Sequence, residues 1–261
     1  MHSMHGKFIW YELMTSDTAG AAKFYGEVAG WTAKDSGMPD MNYTILSIAG
    51  SEMGVAGMLP LTDEVKARGI PSNWTGYVAV DNVDRVADHF VSDGGKVVHG
   101  PIDIHGVGRF AVLADPQGAV LAVMTPIIPA GGVPPEPAPD TPGTFGWREL
   151  MARNGTEAFD FYSGIFGWQK DTAVDMGPMG VYQLFRKDDQ VIGGMMTKPA
   201  EVPLPCWGYY VNVDAIDTAV ARVTKAGGTV IQEPMEVPGP AWIIQAIDPQ
   251  GAYFALVAPK R

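Results

Sequence analysis

Hydrophobic and polar residues follow each other in short runs along this chain, and the runs predict strands and helices in a fixed order. Residues 76–81 form an apolar run, which is typical of a buried strand. Asp81 and Asp84 are predicted to open a helix, since apolar residues recur at helical spacing from Val83 onwards. The helix is predicted to end at Gly94, because glycine accepts the left-handed geometry of a helix end. Three further strands are predicted at 96–99, 109–114 and 119–124. The predicted module is β-α-β-β-β.

Residues 7–60 predict the same order. A strand at 7–14 precedes Asp17, which is placed to accept hydrogen bonds from the first turn of a helix. That helix ends in an apolar stretch with Phe24-Tyr25, and strands follow near 42–48 and 53–59. This half of the chain therefore holds two βαβββ modules.

The whole pattern occurs twice. Trp10-Tyr11-Glu12-Leu13-Met14 returns 137 residues later as Trp147-Arg148-Glu149-Leu150-Met151, and the Asp-Pro-Gln-Gly turn at Asp115 returns 133 residues later at Asp248. Matches in the same order indicate a duplication. Between the copies, repeated prolines fix φ and remove backbone donors, which predicts an extended strap. The predicted division is a first domain at 1–126, a linker at 127–142 and a second domain at 143–261.

Charge and cysteine content narrow the choice of partners. The formal net charge is −11, whereas nucleic acids and anionic membranes attract a positive surface. The single cysteine, Cys206, cannot close a disulfide within the chain. The N-terminal residues show no signal-peptide pattern, and no apolar stretch reaches the roughly 18 residues of a membrane span. We expect a cytoplasmic protein with a small-molecule partner, and the sequence leaves a homodimer open.

These motifs resemble a known family. The acidic helix cap, the Phe-Tyr of the helix, the following Gly-Trp, the Val-Asp-Asn-Val-Asp strand end and the Asp-Pro-Gln-Gly turn are similar to those of vicinal-oxygen-chelate proteins. This is the superfamily of glyoxalases, bleomycin-resistance proteins and dioxygenases, and the resemblance covers all of the chain except the linker. It implies an α+β fold of two tandem domains. In each domain, paired βαβββ modules would form a cupped mixed sheet around the site.

The resemblance also implies four metal-ligand positions in each domain, and this chain carries poor ligands there. In the first copy the positions fall on Trp10, Thr75, Ala122 and a residue near Gly57. In the second copy they fall on Trp147, Gly208, Ala255 and a residue near Gly194. Divalent metals need imidazole, carboxylate or thiolate ligands. We therefore expect no metal and no other cofactor.

Glu12 and Glu149 are the polar residues best placed for chemistry. Side chains alternate faces along a strand, so Glu12 shares a face with Trp10. A carboxylate inside the cup would be partly desolvated, which raises its pKa and suits it to acid or base catalysis. We predict that Glu12 is catalytic and that Glu149 binds substrate. A purely structural glutamate, paired with an arginine or a backbone group, is the alternative.

Other residues are candidates for the aromatic lining of the cup and for polar groups at its rim. Trp10, Trp74, Trp147 and Tyr43 are predicted to bind a planar substrate, with packing in the core as the competing interpretation. His105 and Arg109 occur in the first copy alone, where they are predicted to lie at the rim of the cup. Arg109 would bind an anionic group and His105 would be a second catalytic residue that transfers a proton, unless both belong to a surface loop.

Two functions from different classes follow. The first is a metal-independent lyase or isomerase that transfers a proton through Glu12 or His105. The second is a binding protein of the drug-resistance type, which sequesters a small molecule without chemistry. A metal-dependent glyoxalase or dioxygenase comes third, because only the family resemblance supports it.

Overall fold

Each repeat forms one mixed sheet in a computed structural model that describes residues 4–39, 41–132, 137–239 and 241–261. The strands of the first repeat are β1 Phe8–Thr15, β2 Trp31–Asp35, β3 Thr44–Ile48, β4 Gly54–Pro60, β5 Asn73–Ala79, β6 Lys96–Ile104, β7 Gly108–Ala114 and β8 Val120–Pro126. They are ordered β2-β3-β4-β1-β5-β8-β7-β6 in the sheet. The accompanying helices are α1 Thr18–Ala29, α2 Asp63–Ala67 and α3 Val83–Ser92.

The second repeat reproduces this arrangement. Its strands are β9 Phe145–Ala152, β10 Gln169–Asp175, β11 Val181–Lys187, β12 Gln190–Thr197, β13 Cys206–Asn212, β14 Thr229–Val237, β15 Ala241–Ile247 and β16 Tyr253–Ala258. They are ordered β10-β11-β12-β9-β13-β16-β15-β14. The helices are α4 Gly155–Phe166 and α5 Ile216–Lys225, and a short 3₁₀ turn covers Gly177–Met179.

Strand pairing identifies the βαβββ modules. The first and last strands of each module pair in parallel, as β1 does with β4 and β5 with β8, and as β9 does with β12 and β13 with β16. The strands between them are joined as antiparallel hairpins. The predicted α+β fold, with two tandem domains of paired βαβββ modules, is confirmed.

Local sequence explains where the helices begin and end. The carboxylate of Asp17 accepts a hydrogen bond from the Gly20 amide, as predicted, and α1 ends at Gly30 with a positive φ of 71°. The prediction that Asp81 opens α3 was wrong by one residue. The side chain of Asn82 caps this helix instead, because it reaches the Arg85 amide three residues further on.

One strand and part of the linker differ from the sequence predictions. Strand β2 was not predicted, because only its first residue is buried and its pattern is that of an exposed edge. The linker was predicted to be extended, but its described residues form turns at 129–132 and 138–141. Proline at the second position of a turn is compatible with its fixed φ, as for Pro139. Pro134 and Pro135 lie outside the described residues.

Packing divides the chain into two compact units, and each takes modules from both repeats. The first compact unit comprises Met1–Ile9, Thr75–Pro135 and Arg148–Trp207. The second compact unit comprises Trp10–Trp74, Glu136–Trp147 and Gly208–Arg261. The domain boundaries read from the repeat at 126 and 143 stay a prediction.

A buried Trp-Tyr-Asp chain forms the polar core of each compact unit. In the second compact unit, Trp74 Nε1 donates to Tyr25 Oη at 2.8 Å, and Tyr25 donates to Asp248 at 3.0 Å. In the first compact unit the corresponding bonds join Trp207, Tyr162 and Asp115 at 3.2 and 3.0 Å. The tyrosine belongs to the repeated Phe-Tyr motif and the aspartate to the repeated Asp-Pro-Gln-Gly turn. Both motifs recur because the tyrosine hydroxyl and the aspartate carboxylate satisfy each other's buried hydrogen-bonding groups.

The helices are short. Within the described ranges, none has the length and apolar composition that crossing a membrane requires.

Candidate functional site

Strand β1 presents different side chains on its two faces. Tyr11, Leu13 and Thr15 are buried, whereas Trp10 and Glu12 on the opposite face are partly exposed. Strand β9 follows the same parity with Trp147 and Glu149. We call the face of each sheet that carries Glu12 or Glu149 the glutamate face.

Glu12 belongs to a hydrogen-bonded group with two aromatic residues. Trp10 Nε1 donates to Tyr43 Oη at 2.8 Å, and the Tyr43 hydroxyl is hydrogen-bonded to Glu12. The phenol accepts from the indole, which can only donate, so its own hydrogen goes to the carboxylate. Burial, and then the negative charge of Glu12, raise the pKa of Tyr43, so the phenol stays protonated and keeps donating to Glu12.

Gly57 makes room for this group. In the parallel register of β1 and β4, Glu12 lies opposite Gly57. A Cβ atom at Gly57 would overlap the hydroxyl of Tyr43. Any side chain at this position would therefore displace Tyr43 from Glu12, and glycine is needed here for close approach rather than for backbone conformation.

The same observation tests whether the family metal fits. The ligand position near Gly57 cannot carry a side chain while Tyr43 fills the space above it, and the Trp10 indole nitrogen is a donor rather than a ligand. Among the described residues, no group of three or more His, Cys, Asp or Glu side chains could hold a metal ion. The residues present do not fit the metal sites of metal-using relatives.

The second repeat has an equivalent group in the first compact unit. Glu149 lies opposite Gly194 in the register of β9 and β12, and Glu149 is only 7% exposed. A Cβ atom at Gly194 would overlap the ring of Tyr182. Tyr182 therefore covers Gly194 in the second repeat as Tyr43 covers Gly57 in the first. From the sequence, Tyr182 could point into the site of the second repeat, but no pattern favours it over its neighbours, and its offset from Tyr43 is 139 where that of the surrounding motif is 137.

Cys206 is a neighbour of Glu149 at the start of β13. The thiol is half-buried and unbonded to any other cysteine. Burial, followed by the charge of Glu149, raises the pKa of Cys206 to about 11, and the Lys198 ammonium opposes the shift. At neutral pH the thiol is protonated, so Cys206 is not an activated nucleophile.

Trp147 packs into an apolar cluster of the second compact unit. The core of the cluster is Tyr210, Ile243 and Ala255, and Trp147 lies against it. Gln245 Nε2 donates to Tyr210 Oη at 3.0 Å. Ala255, one of the implied ligand positions, is completely buried beneath these side chains.

Trp74 does not line the glutamate face. Its indole donates to Tyr25 of α1 and meets the Trp31 ring edge-on at 5.8 Å between centroids. This side chain therefore packs beneath helix α1. Of the two interpretations read from the sequence, packing in the core describes Trp74.

Arg109 and His105 are also placed differently from the prediction. Arg109 makes two hydrogen bonds of 2.8 Å to the carboxylate of Asp84 in α3 and one of 2.9 Å to Asp103. A guanidinium held by two carboxylates is not available to anchor an anionic substrate. His105 lies in the exposed turn between β6 and β7. Both residues belong to the first compact unit, whereas Glu12, Trp10 and Tyr43 belong to the second.

The sequence as a whole matches a family model. The Glyoxalase/Bleomycin resistance protein/Dioxygenase superfamily covers residues 7–123 and 144–256, one match in each repeat. The chain belongs to this superfamily, and the resemblance read from its motifs is confirmed.

Two curated relatives match over nearly their full length. "Putative glyoxylase CFP32" of Mycobacterium tuberculosis is 31% identical over 253 residues, which cover 96% of this chain and 94% of that protein. "Anthracycline biosynthesis protein DnrV" of Streptomyces peucetius is 30% identical over 259 residues, which cover 95% of this chain and 91% of that protein.

Solved structures share the fold at low identity. The Mn(II)-bound glyoxalase from Novosphingobium aromaticivorans has a TM-score of 0.66 at 14% identity, and the match covers 98% of this chain and 82% of that one. The 2,3-dioxygenase LapB from Pseudomonas sp. KL28 has a TM-score of 0.64 at 12% identity, with 98% and 93% covered. Such identities support the fold alone.

Proposed function

We propose that this protein is a metal-independent member of the superfamily that binds a planar aromatic carbonyl compound at Glu12 and transfers a proton within it. The observation that carries the proposal is the hydrogen-bonded group of Trp10, Tyr43 and Glu12 above Gly57. The group stands at two positions where the family resemblance implies metal ligands, Trp10 and Gly57, and it offers a carboxylate with a fixed orientation.

Each residue has a separate part in the proposal. The partly exposed Trp10 supplies an aromatic surface for a planar ligand. Glu12 accepts a proton from a carbon next to the ligand's carbonyl group, and the electron pair of the C–H bond passes into an enolate. Returning the proton to a different atom completes an isomerisation without any co-reactant. Tyr43 keeps the carboxylate in place by donating its hydroxyl hydrogen.

The proposed substrate class is based on the name of a relative. DnrV carries the name of an anthracycline biosynthesis protein, and anthracyclines are planar and contain ketones. Daunorubicin is therefore a suitable probe, because its fluorescence reports binding and its methyl ketone can exchange hydrogen for deuterium. We expect saturable quenching in chelator-treated protein and accelerated deuterium uptake at the methyl ketone in D₂O.

A matched pair of variants separates binding from proton transfer. Glu12→Gln should lower the rate of deuterium uptake by about 10²-fold or more, the usual scale for a lost general base, while quenching persists. Tyr43→Phe keeps the ring over Gly57 and should lower the rate less. Binding without deuterium uptake in the wild type would instead support the sequestering function, in which the same residues act without chemistry.

The third function, a metal-dependent glyoxalase, is supported by the name of the CFP32 relative. It predicts that chelation abolishes activity and that a divalent metal restores it. We expect neither, because the residues at the implied ligand positions do not fit a metal.

A further inference from the structure

The two glutamates occupy the same structural position in their repeats. Glu12 lies opposite Gly57, and Glu149 lies opposite Gly194, in the same parallel register. At both glycines a Cβ atom would overlap a tyrosine, Tyr43 in one case and Tyr182 in the other. A glycine kept to admit a phenol beside a carboxylate, in both repeats, is a feature that packing of an apolar core does not require.

The two positions differ in what surrounds them. Glu149 is buried, at 7% exposure, whereas Glu12 is partly exposed. Tyr182 and Cys206, which lie near Glu149, are both partly exposed. Cys206 has no counterpart in the first repeat, where Asn73 stands at the matching position.

We infer that Glu149 and Tyr182 form a second site for the same class of ligand, so that one chain binds two ligand molecules. This inference rests on the proposed function of Glu12 and Tyr43. His105 and Arg109, which occur in the first repeat alone and were predicted at the rim of its cup, do not favour that repeat, because Arg109 is held by Asp84 and His105 lies in an exposed turn.

The single cysteine makes the second site measurable by itself. Cys206 is close enough to Glu149 for the carboxylate to raise the pKa of its thiol, so a ligand at Glu149 would shield the thiol from alkylation. The first site carries no thiol. Alkylation by iodoacetamide near pH 9.5, followed by mass spectrometry, therefore reports occupancy of the second site alone.

The experiment combines stoichiometry with protection, using daunorubicin as the probe and full-length protein. We expect two molecules bound per wild-type chain, and slowing of Cys206 alkylation by about fivefold or more at saturation. Glu12→Gln should leave that protection intact. Gly194→Ala, whose added Cβ displaces Tyr182, should remove the protection at the same daunorubicin concentration and leave one tightly bound molecule. Tyr182→Phe, which keeps the ring over Gly194, repeats the test if Gly194→Ala fails to fold, and should weaken the protection.

The possible failures are distinguishable. One bound molecule per chain with unprotected Cys206 would overturn the second site and leave the proposed function of Glu12 standing. No binding to the wild type would overturn both. Alkylation of the free Glu149→Gln variant that is no faster than that of the wild type would also contradict the placement of the carboxylate beside the thiol.

Discussion

The two repeats are more alike on the face of each sheet that packs against the helices, the helix side, than on the glutamate face. On the helix side, the repeats are near copies, with Trp74, Tyr25 and Asp248 matched by Trp207, Tyr162 and Asp115. On the glutamate face, Glu12 and Glu149 recur, but their neighbours diverge, as Asn73 and Cys206 illustrate. The difference teaches that recurrence alone does not separate packing residues from candidate functional residues. Their surroundings do, because the carboxylates of Asp115 and Asp248 accept from backbone amides, whereas Glu12 and Glu149 each lie opposite a glycine that is covered by a tyrosine.

The largest effect should come from the repeated polar core. Asp248→Ala removes the acceptor for the Tyr25 hydroxyl and for the amides of Gln250 and Ala252, which leaves buried donors unsatisfied. We expect the free energy of unfolding to fall by about 3 kcal/mol in urea denaturation. Asp115→Ala should cost the same, because its contacts are equivalent.

The exposed Glu201→Ala is the control and should change little. A loss below about 1 kcal/mol for both core variants would mean that apolar packing alone holds the helix side, and the contrast between the two faces would weaken.

On the glutamate face, a substitution should change the affinity for the ligand. Gly57→Ala places a Cβ where the Tyr43 hydroxyl lies, so Tyr43 must leave Glu12. We expect daunorubicin to bind the Glu12 site about tenfold more weakly or worse. Gly164→Ala is the control, since a Cβ there has nothing within 4 Å and alanine favours a helix interior. Unchanged affinity in Gly57→Ala would remove Tyr43 from the site.

A smaller effect is expected from pH. Burial raises the pKa of Asp115 and of Asp248 above the ordinary value. A raised folded-state pKa means that these groups favour the folded state below the unfolded pKa of about 3.9, and that this contribution is lost as pH rises through the folded pKa. The free energy of unfolding of the wild type minus that of Asp248→Asn should therefore fall as pH rises through this window. A difference that grows with pH would contradict the direction of the shift.

No effect on binding is expected from Arg109→Gln. Its guanidinium is engaged by Asp84 and Asp103, so daunorubicin affinity should stay within about twofold of the wild type. A tenfold loss in a fluorescence titration would return Arg109 to the site and favour the arrangement read from the sequence.

The sequence predicted the fold well because the repeats supplied each signal twice. The alternation of apolar and polar residues in strands, and the residues that begin and end helices, predicted the bounds of β1, α1 and the second module of each repeat to within a few residues. The site was harder. Parity placed Trp10 beside Glu12 correctly, but Trp74 needed knowledge of which strand residue faces α1. Arg109 needed its partner Asp84, 25 residues away. The role of Gly57 depends on a phenol from another strand, which no local pattern encodes.

The central claim is that Tyr43 and Glu12 act at a position where the family resemblance implies a metal ligand. The most direct test is deuterium uptake at the methyl ketone of daunorubicin, measured in chelator-stripped protein before and after addition of Mn²⁺ or Zn²⁺. We expect the same rate in both states and a loss of about 10²-fold in Glu12→Gln. Uptake that appears only after metal is added, and that survives in Glu12→Gln, would contradict the claim.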